Sequence, residues 1–333
     1  MTTDVLSDVL RAVRLTGAVH FSVEASAPFA AEALAGSEVA PHVLPGVEHV
    51  LEYHLVTRGR CWGGIVGEEP LPLEEGDIIA FPHGDAHTLS SSPGMRGQAS
   101  LAMFRRPPGS RLPFFLHEEG GGERTGLVCG FVGWDVKPFN PLLATLPRVL
   151  KVSTRGTGGW LEAVAQLAVV ETASGRTGGE CVLARASELM FIEVIRRYLA
   201  SLPAEQTGWF AGLRDPSIGR ALAALHDRPA EPWTVESLAK EAAVSRSVLA
   251  ERFAHLVGEA PMQYLTRWRM QLAATLLRTR NVSVFEAAVE VGYASEAAFS
   301  RAFKKVVGVP PAAWREGRRE EETTARAGET GRA

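Results

Sequence analysis

Histidine and cysteine side chains in the first half of the chain have the types and spacing of a zinc site. His83 and His87 lie at the two ends of a short loop that contains glycine, and Cys129 follows on a later apolar segment. Imidazole nitrogen and thiolate sulfur are ligands that Zn²⁺ takes in proteins. These residues predict a zinc site if strand pairing brings Cys129 near the loop. The alternative is that His83 is a solvated loop residue and His87 a hydrogen-bonded interior residue.

A second polar pair, Glu52 and His54, stands in the apolar segment HVLEYHLVTRG. Alternate residues of a strand point to the same face, so both side chains would point inward together. We predict that they line an inner pocket with His87. Cys61 and Cys129 offer a different chemistry, oxidation, although a buried thiol is more often a small apolar side chain.

One segment in the second half of the chain occurs twice, at an offset of fifty residues. The matching positions are Ser245 and Ser295, Phe253 and Phe303, Val257 and Val307, Gly258 and Gly308, Pro261 and Pro311, and Tyr264 and Trp314. In each copy, serine or threonine can cap two short helices, and glycine can end the second of them. Two helices joined by a tight turn form a helix-turn-helix, whose second helix can enter the DNA major groove. A small helical bundle without a DNA role is the alternative.

Between the copies, Pro261 begins a predicted connecting helix with an apolar stripe. The stripe contains Leu265, Trp268, Leu272 and Leu276. About twenty helical residues span about 30 Å, close to the roughly 34 Å of one turn of DNA. Such a helix could hold two recognition helices in successive major grooves.

The two units, the connecting helix and the ending VGYASEAAFSRAFKKVVGVPPAAWR closely resemble the AraC/XylS-type transcriptional regulators over residues 215–315. The resemblance implies base contacts from Ser247, Ala250 and Glu251 in the first recognition helix and from Glu296, Ala297, Ser300 and Arg301 in the second. Arginine can donate bidentately to guanine O6 and N7, whereas a carboxylate can accept from cytosine N4 or stay solvated. We therefore expect the second copy, which has Arg301, to make a stronger contact with a base than the first copy makes with Glu251.

Contacts to the DNA backbone are expected from basic residues of the same region. These are Arg246, Arg267, Arg269, Lys304 and Lys305, and the alternative is an ordinary solvated helix face. Residues 214–319 contain sixteen Lys and Arg against eleven Asp and Glu, although the whole chain has a formal charge of -3. The basic surplus therefore lies where DNA would bind.

Short apolar runs between residues 18 and 134 are separated by glycine and proline, which predicts an antiparallel β-barrel or sandwich. GQASLAMF is one of the predicted strands, and KPFNPLLATLPRVLKV is a predicted extended crossover. Gly76, Pro82, Gly84 and His87 match the second cupin motif. The resemblance implies a cupin-like sensor, and many cupins hold a metal with three histidines and a carboxylate. The His-x-His of the first cupin motif is absent, which leaves a catalytic metal centre incomplete.

The predicted fold is α+β and multidomain. We expect a cupin-like sensor domain over 1–148, a helical dimerisation and linker region over 149–206, a double helix-turn-helix domain over 207–316 and a disordered tail over 317–333. Two helical segments, Trp160–Thr172 and Glu180–Leu199, present more apolar surface than one hairpin buries. They predict a dimer interface, with packing on the barrel as the alternative.

These observations predict a sequence-specific transcriptional regulator whose barrel senses a small molecule, a metal or an oxidant. The alternative is a cupin-type metal-dependent enzyme with an accessory helical domain. The expected partners are double-stranded DNA, a second copy, a small-molecule effector and, from the resemblance, RNA polymerase, as for an activator. Zinc is the one cofactor that these residues indicate. The absence of a signal peptide or an eighteen-residue apolar run predicts a cytoplasmic protein without a membrane partner, and three cysteines fit reduced thiols.

Overall fold

The computed structural model describes residues 3–47, 49–105, 110–134, 138–155, 160–203, 207–280 and 282–316. Contacts divide the chain into two compact units. The strand-rich unit contains Leu15–Trp134 and Leu146–Ser201, and the helical unit contains the described residues of 1–14, 135–145 and 202–333. In the part of the chain that is described, no helix has the length and apolar character needed to cross a membrane.

Ten strands form two sheets in the strand-rich unit. They are β1 (Thr16–Ser26), β2 (Ala30–Ala33), β3 (His49–Arg58), β4 (Arg60–Ile65), β5 (Leu71–Glu74), β6 (Asp77–Phe81), β7 (His87–Ser90), β8 (Phe114–Glu118), β9 (Arg124–Trp134) and β10 (Leu150–Ser153). One sheet has the order β10-β6-β3-β9-β1-β8, and the other has the order β2-β7-β4-β5. The predicted cupin-like sandwich is confirmed. One departure from the antiparallel pattern is the parallel pairing of β1 with β8.

The core of this unit consists of aliphatic and aromatic side chains from both sheets. Val50, Ile79 and Phe131 come from the six-stranded sheet, and Cys61 and Leu89 come from the four-stranded sheet. The alternation of strand residues places their other faces outward. A shared core of this kind holds the two sheets face to face, so side chains of β3 can meet side chains of β7.

Two sequence predictions about local structure are wrong. The predicted strand GQASLAMF contains no strand; its end is a 3-10 helix, Leu101–Phe104, capped by Ser100. The predicted extended crossover contains a short helix, α3 (Pro141–Thr145), and strand β10. In both places a local hydrogen bond competes with strand pairing, because Ser100 and Asn140 accept from backbone N–H groups two residues ahead.

The strand-rich unit also contains α2 (Gly36–Val43), α4 (Trp160–Ser174) and α5 (Gly179–Ser201). Helix α5 packs on the six-stranded sheet: Tyr53 and Ser187 share a 2.6 Å hydrogen bond, and Trp134 meets Phe191 edge to face at 5.0 Å. Other apolar side chains of α4 and α5 stay exposed, including Trp160, Leu167, Val170 and Leu189. The packing alternative therefore accounts for one face of α5 and leaves a second apolar face exposed.

The helical unit is built from short capped helices. They are α1 (Val5–Ala12), α3, α6 (Trp209–Arg214), α7 (Pro216–Asp227), α8 (Val235–Glu241), α9 (Arg246–Val257), α10 (Pro261–Thr279), α11 (Val284–Glu290) and α12 (Glu296–Val307). Around α10, α11 and α12 the core contains Met270, Ala287, Phe299 and Phe303. The predicted linker residues 204–206 and the tail from 317 onward lie outside the described residues.

Three separate chain segments meet at Gln271, which is 1% exposed on α10. The Gln271 Oε1 accepts from the Phe139 N–H at 2.9 Å, and its Nε2 donates to the Ala12 carbonyl at 3.0 Å. The Arg267 guanidinium lies over the Phe139 ring at 4.2 Å. Helix α1 and the segment around Phe139 are therefore part of the helical unit, although the predicted boundaries group both with the strands.

Candidate nucleic-acid interface and sensor site

The two predicted helix-turn-helix units are present as α8 with α9 and α11 with α12. Ser245 caps α9 by accepting from the Val248 N–H, and Ser295 caps α12 in the same way. Gly258 and Gly308 end these helices in the left-handed conformation. The serines and glycines that recur at an offset of fifty residues therefore lie where the two recognition helices begin and end.

The turns before the two recognition helices differ in length and in residue type. The start of α12 lies fifty residues after the start of α9, whereas the start of α11 lies forty-nine after that of α8. The first turn uses Ala243 at φ 54°, and the second uses Gly292 at φ 84°. A Cβ on Gly292 would lie 2.3 Å from the Ala230 carbonyl oxygen, so only glycine fits there.

The predicted base-contacting residues lie on the outer side of the recognition helices. Ser300 is half-buried, and the others are exposed: Ser247, Ala250, Glu251, Glu296, Ala297 and Arg301. The buried faces consist of Leu249 and Phe253 in α9 and of Phe299 and Phe303 in α12. Val248 of α9 is apolar but 39% exposed. Each helix thus presents a polar face opposite its packed face.

The predicted backbone contacts separate into two groups. Arg246, Lys304 and Lys305 are exposed, and Arg246 makes a 3.1 Å ion pair with Glu236. Arg269 instead donates to the carbonyls of two residues before α8, at 2.7 Å each. Arg267 pairs with a glutamate at 3.2 Å and covers the Phe139 ring. Arg267 and Arg269 therefore make their contacts within the helical unit, because their guanidinium groups link separate segments of it.

A polar cluster of Glu52, His54 and His87 lies inside the strand-rich unit, beside mostly apolar core side chains. The His54 and His87 Nε2 atoms are 2.7 Å apart, and Glu52 carboxylate oxygens lie 3.9 Å and 3.7 Å from them. All three residues are buried. The predicted inward direction of Glu52 and His54 is what the β3 ladder produces, and β7 of the opposite sheet supplies His87.

The loop between β6 and β7 fixes the orientation of His87. Gly84, at φ 69°, passes so close to the Val50 carbonyl that a Cβ would lie 2.8 Å from its oxygen. The His87 Nδ1 donates to the Asp85 carbonyl at 2.9 Å, and the ring stacks on Phe81 at 3.8 Å. With Nδ1 protonated, the neutral ring keeps a lone pair on Nε2, which faces the cluster.

Burial controls the protonation of these groups. It raises the pKa of the Glu52 carboxyl to about 8 and lowers the pKa of His87 to about 4, while the pKa of His54 is lowered by burial and then by His87. Burial also raises the pKa of Cys61 to about 12 and raises that of Cys129. Thiolate is the form that reacts with oxidants, so these thiols are poorly suited to oxidant sensing.

The predicted ligand set of His83, His87 and Cys129 is not assembled. His83 donates instead to the Leu146 carbonyl at 2.9 Å. Cys129 pairs with His54 in the ladder and lies among apolar core residues. Among the residues that the structure describes, the His, Cys, Asp and Glu side chains that converge are Glu52, His54 and His87. The Glu52-x-His54 spacing already indicated this convergence, although these two residues were predicted to line an inner pocket and not to bind zinc.

A small cavity of about 80 Å³ adjoins the cluster. Its wall is mostly apolar and includes Phe21, Phe29, Leu89, Phe104, Leu116 and Leu127, together with the three cluster residues and Cys129. A cavity of this volume has room for a few water molecules or for part of a small ligand. An apolar wall with a few converging polar groups is the usual composition of a ligand site.

Comparisons with known proteins agree with both units. Residues 4–200 match a family model described as Cupin, and residues 238–317 match one described as Helix-turn-helix domain. A putative AraC-like transcription regulator of Streptomyces lividans is 35% identical over 268 residues, which cover 80% of this chain and 86% of that protein. The chain belongs to the AraC-like transcription regulators.

Other members of the family are similar over most of their length. The HTH-type transcriptional regulator AlkR of Acinetobacter baylyi is 30% identical over 290 residues, covering 84% of this chain and 91% of AlkR. The DNA-binding domain of AdpA, solved in complex with a target DNA, is 37% identical and matches 32% of this chain and 95% of that domain at a TM-score of 0.31. The two family models and the named relatives show that this AraC-like protein is a DNA-binding transcriptional regulator with a cupin-like N-terminal domain, and those relatives are named as regulators and not as enzymes.

Proposed function

We propose that this regulator reads DNA with the exposed faces of α9 and α12 and that α12 makes the firmer base contacts. The proposal is supported by the exposure of Arg301 on α12 and of Glu251 at the matching place on α9. Arginine can grip guanine with two hydrogen bonds, whereas a carboxylate repels the nearby phosphates and accepts one cytosine N4–H. Ser247, Ala250 and the remaining polar positions of α12 then add shape and weaker selectivity.

Backbone contacts in this proposal come from Arg246, Lys304 and Lys305. They are exposed and stand in or beside the recognition helices. Connecting helix α10 has 19 residues, which corresponds to about 28 Å. That length suits two recognition helices that serve successive major grooves.

We infer that the regulator acts in the cytoplasm as a homodimer through α4 and α5. The support is the apolar face that these helices leave exposed: Leu167 is 44%, Val170 61% and Leu189 45% exposed. Apolar patches on a helix pair favour burial by a partner, and the occupant proposed here is the same face of a second copy. Sedimentation should give a dimer for the wild type and a monomer for Val170→Glu, with DNA half-site binding retained.

The cavity beside Glu52, His54 and His87 is the proposed effector site. Its apolar wall and buried polar cluster suit a small ligand with an apolar body and one polar group. Binding there would shift the balance between two states of the regulator that differ in DNA affinity. An effector should raise the melting temperature of the full chain and change its affinity for DNA, whereas an inert ligand changes neither.

Contact with RNA polymerase is the remaining part of the proposal. Phe285 and Val289 lie one helical turn apart on α11 and are 53% and 52% exposed. A pair of this kind is a suitable contact for a protein partner. Phe285→Ser should then retain DNA binding and lose transcription activation in vitro.

The deciding experiment selects DNA from a random pool and measures its binding as a function of salt. Arg301→Ala should relax specificity at one base pair by about 1 to 3 kcal/mol, and Glu251→Ala should do much less. Equal losses from both would contradict the asymmetry. Binding without any salt dependence would contradict DNA recognition by this surface, since phosphate contacts release counterions.

A further inference from the structure

The cluster of Glu52, His54 and His87 contains three metal-binding groups in one place. Each side chain is buried, and one ligand atom of each lies within 4.8 Å of the other two. We propose that these three residues bind a single divalent transition-metal ion. The inference deepens the sensing role proposed above and rests on it for its biological meaning, but metal binding itself can be measured without DNA or effector.

The donor atoms determine the class of metal. Two imidazoles and one carboxylate suit zinc and the neighbouring first-row ions, whereas magnesium and calcium prefer sites made entirely of oxygen. A buried carboxylate is costly when it is ionised without a partner. A divalent cation would supply that partner and favour the ionised form of Glu52.

His87 is already oriented as a ligand. Its Nδ1 donates to the Asp85 carbonyl at 2.9 Å, which leaves the Nε2 lone pair facing His54 and Glu52. Metal-binding histidines commonly donate their second ring nitrogen to a carbonyl or carboxylate in this way, which fixes the tautomer. Because Gly84 and the β6–β7 loop hold the Asp85 carbonyl in place, little freedom would be lost on binding.

The distances need only a small adjustment. Metal bonds of about 2.1 Å in a tetrahedral site place neighbouring ligand atoms about 3.4 Å apart. The Glu52 oxygens lie 3.9 Å and 3.7 Å from the two imidazoles. The His54 and His87 Nε2 atoms are 2.7 Å apart and would separate by about 0.7 Å. The Glu52 Oε2, which is buried, has no hydrogen-bond partner among the described residues.

Three protein ligands leave coordination positions open. The cavity of about 80 Å³ beside the cluster can hold water at such a position, or a donor atom of the effector. The competing structure is a metal-free one, in which His54 donates to His87 beside a neutral Glu52. The two alternatives differ in one measurable property, the affinity of the chain for metal.

The test uses the full chain, stripped with a chelator and dialysed. Titration with Zn²⁺ by calorimetry should give one ion per chain, and Co²⁺ should produce visible d–d absorption bands of a low-symmetry site. Glu52→Gln and His87→Asn should weaken Zn²⁺ binding by at least about 100-fold. His83→Asn and Cys129→Ser remove the other candidate ligands and should change the affinity by less than about threefold.

Each outcome separates the metal site from DNA recognition. A wild-type chain that binds DNA but takes up no Zn²⁺ and shows no Co²⁺ bands overturns the metal site and leaves the regulator intact. Metal affinity that falls in His83→Asn while persisting in Glu52→Gln also overturns it. DNA binding by each variant checks the helical unit, and circular dichroism checks the strands. If a variant fails to fold, the wild-type Co²⁺ spectrum still decides the question.

Discussion

Replacing Gln271 by leucine tests whether one side chain fastens α1 and the Phe139 segment to α10. Leucine has a similar volume but neither donates nor accepts a hydrogen bond. The buried Phe139 N–H would lose its 2.9 Å acceptor, and the Ala12 carbonyl would lose a 3.0 Å donor. The Ala12 oxygen would keep one partner, the Thr275 hydroxyl at 3.3 Å. The substitution therefore removes the acceptor of the Phe139 N–H completely and removes one of two donors to the Ala12 carbonyl.

The expected loss of stability follows from these two lost hydrogen bonds. An orphaned buried donor costs about 1 to 3 kcal/mol, and loss of one of two donors to a carbonyl costs about 0.5 to 1.5 kcal/mol. The two losses sum to about 1.5 to 4.5 kcal/mol, and a value of about 2 kcal/mol, in the lower part of that range, corresponds to about 30-fold in the local opening equilibrium. Hydrogen exchange measured by mass spectrometry should thus be about 30-fold faster in peptides covering α1 and α3, while β3 peptides exchange at the wild-type rate.

The matched control is Gln263→Leu, because Gln263 is exposed on the same helix. Surface substitutions of this kind usually change stability by less than about 0.5 kcal/mol. Unchanged exchange of the α1 peptide in the Gln271→Leu protein would refute the fastening role. Equal acceleration in both variants would show that α10 itself, and not the buried amide, controls these segments.

The remaining predictions concern the turns, acid stability and salt dependence. Gly292→Ala should destabilise the second helix-turn-helix by several kcal/mol, because the new Cβ would collide with the Ala230 carbonyl and because φ is positive there. Ala243→Gly, at the positive φ of the first turn, should instead be neutral or stabilising by up to about 1 kcal/mol. Thermal unfolding would measure both changes. Burial lowers the pKa of His226 to about 3. Between pH 6.5 and 3 the unfolded chain therefore binds a proton at His226 that the folded chain does not, and the stability of the folded state falls as the pH falls through this range. In unfolding titrations, His226→Asn should make this loss of stability smaller. Lys304→Ala should weaken binding to all DNA sequences alike and reduce the slope of log affinity against log salt by about 1, whereas an effect on one sequence only would contradict a phosphate contact.

Local sequence determined the helices of the DNA-binding region. Thr234, Ser245, Ser283 and Ser295 each accept from a backbone N–H close by in the chain, and Pro261 begins α10. Caps and stops act within one turn of the chain, so a pattern of residue types predicts them. The exposed faces of α9 and α12 followed from the same helical period.

Contacts between residues that are far apart in the chain could not be predicted from the sequence. His54 and His87 are 33 residues apart, and they meet because their strands lie in opposite sheets of one sandwich. The sequence indicated which way Glu52 and His54 would point, since strand parity is local. It could not indicate that His83 would bond to the Leu146 carbonyl, because that contact depends on where the chain returns after β9.

The amino-acid sequence alone therefore determined the helix-turn-helix pair, the strand-rich first half and the inward direction of Glu52 and His54, because each depends on neighbours within a few residues. Only the tertiary structure decided that these two residues join His87, and that Gln271 joins Ala12 across 259 residues. Such contacts depend on how sheets and helices pack. The same side chain types could have met other partners if the packing had differed.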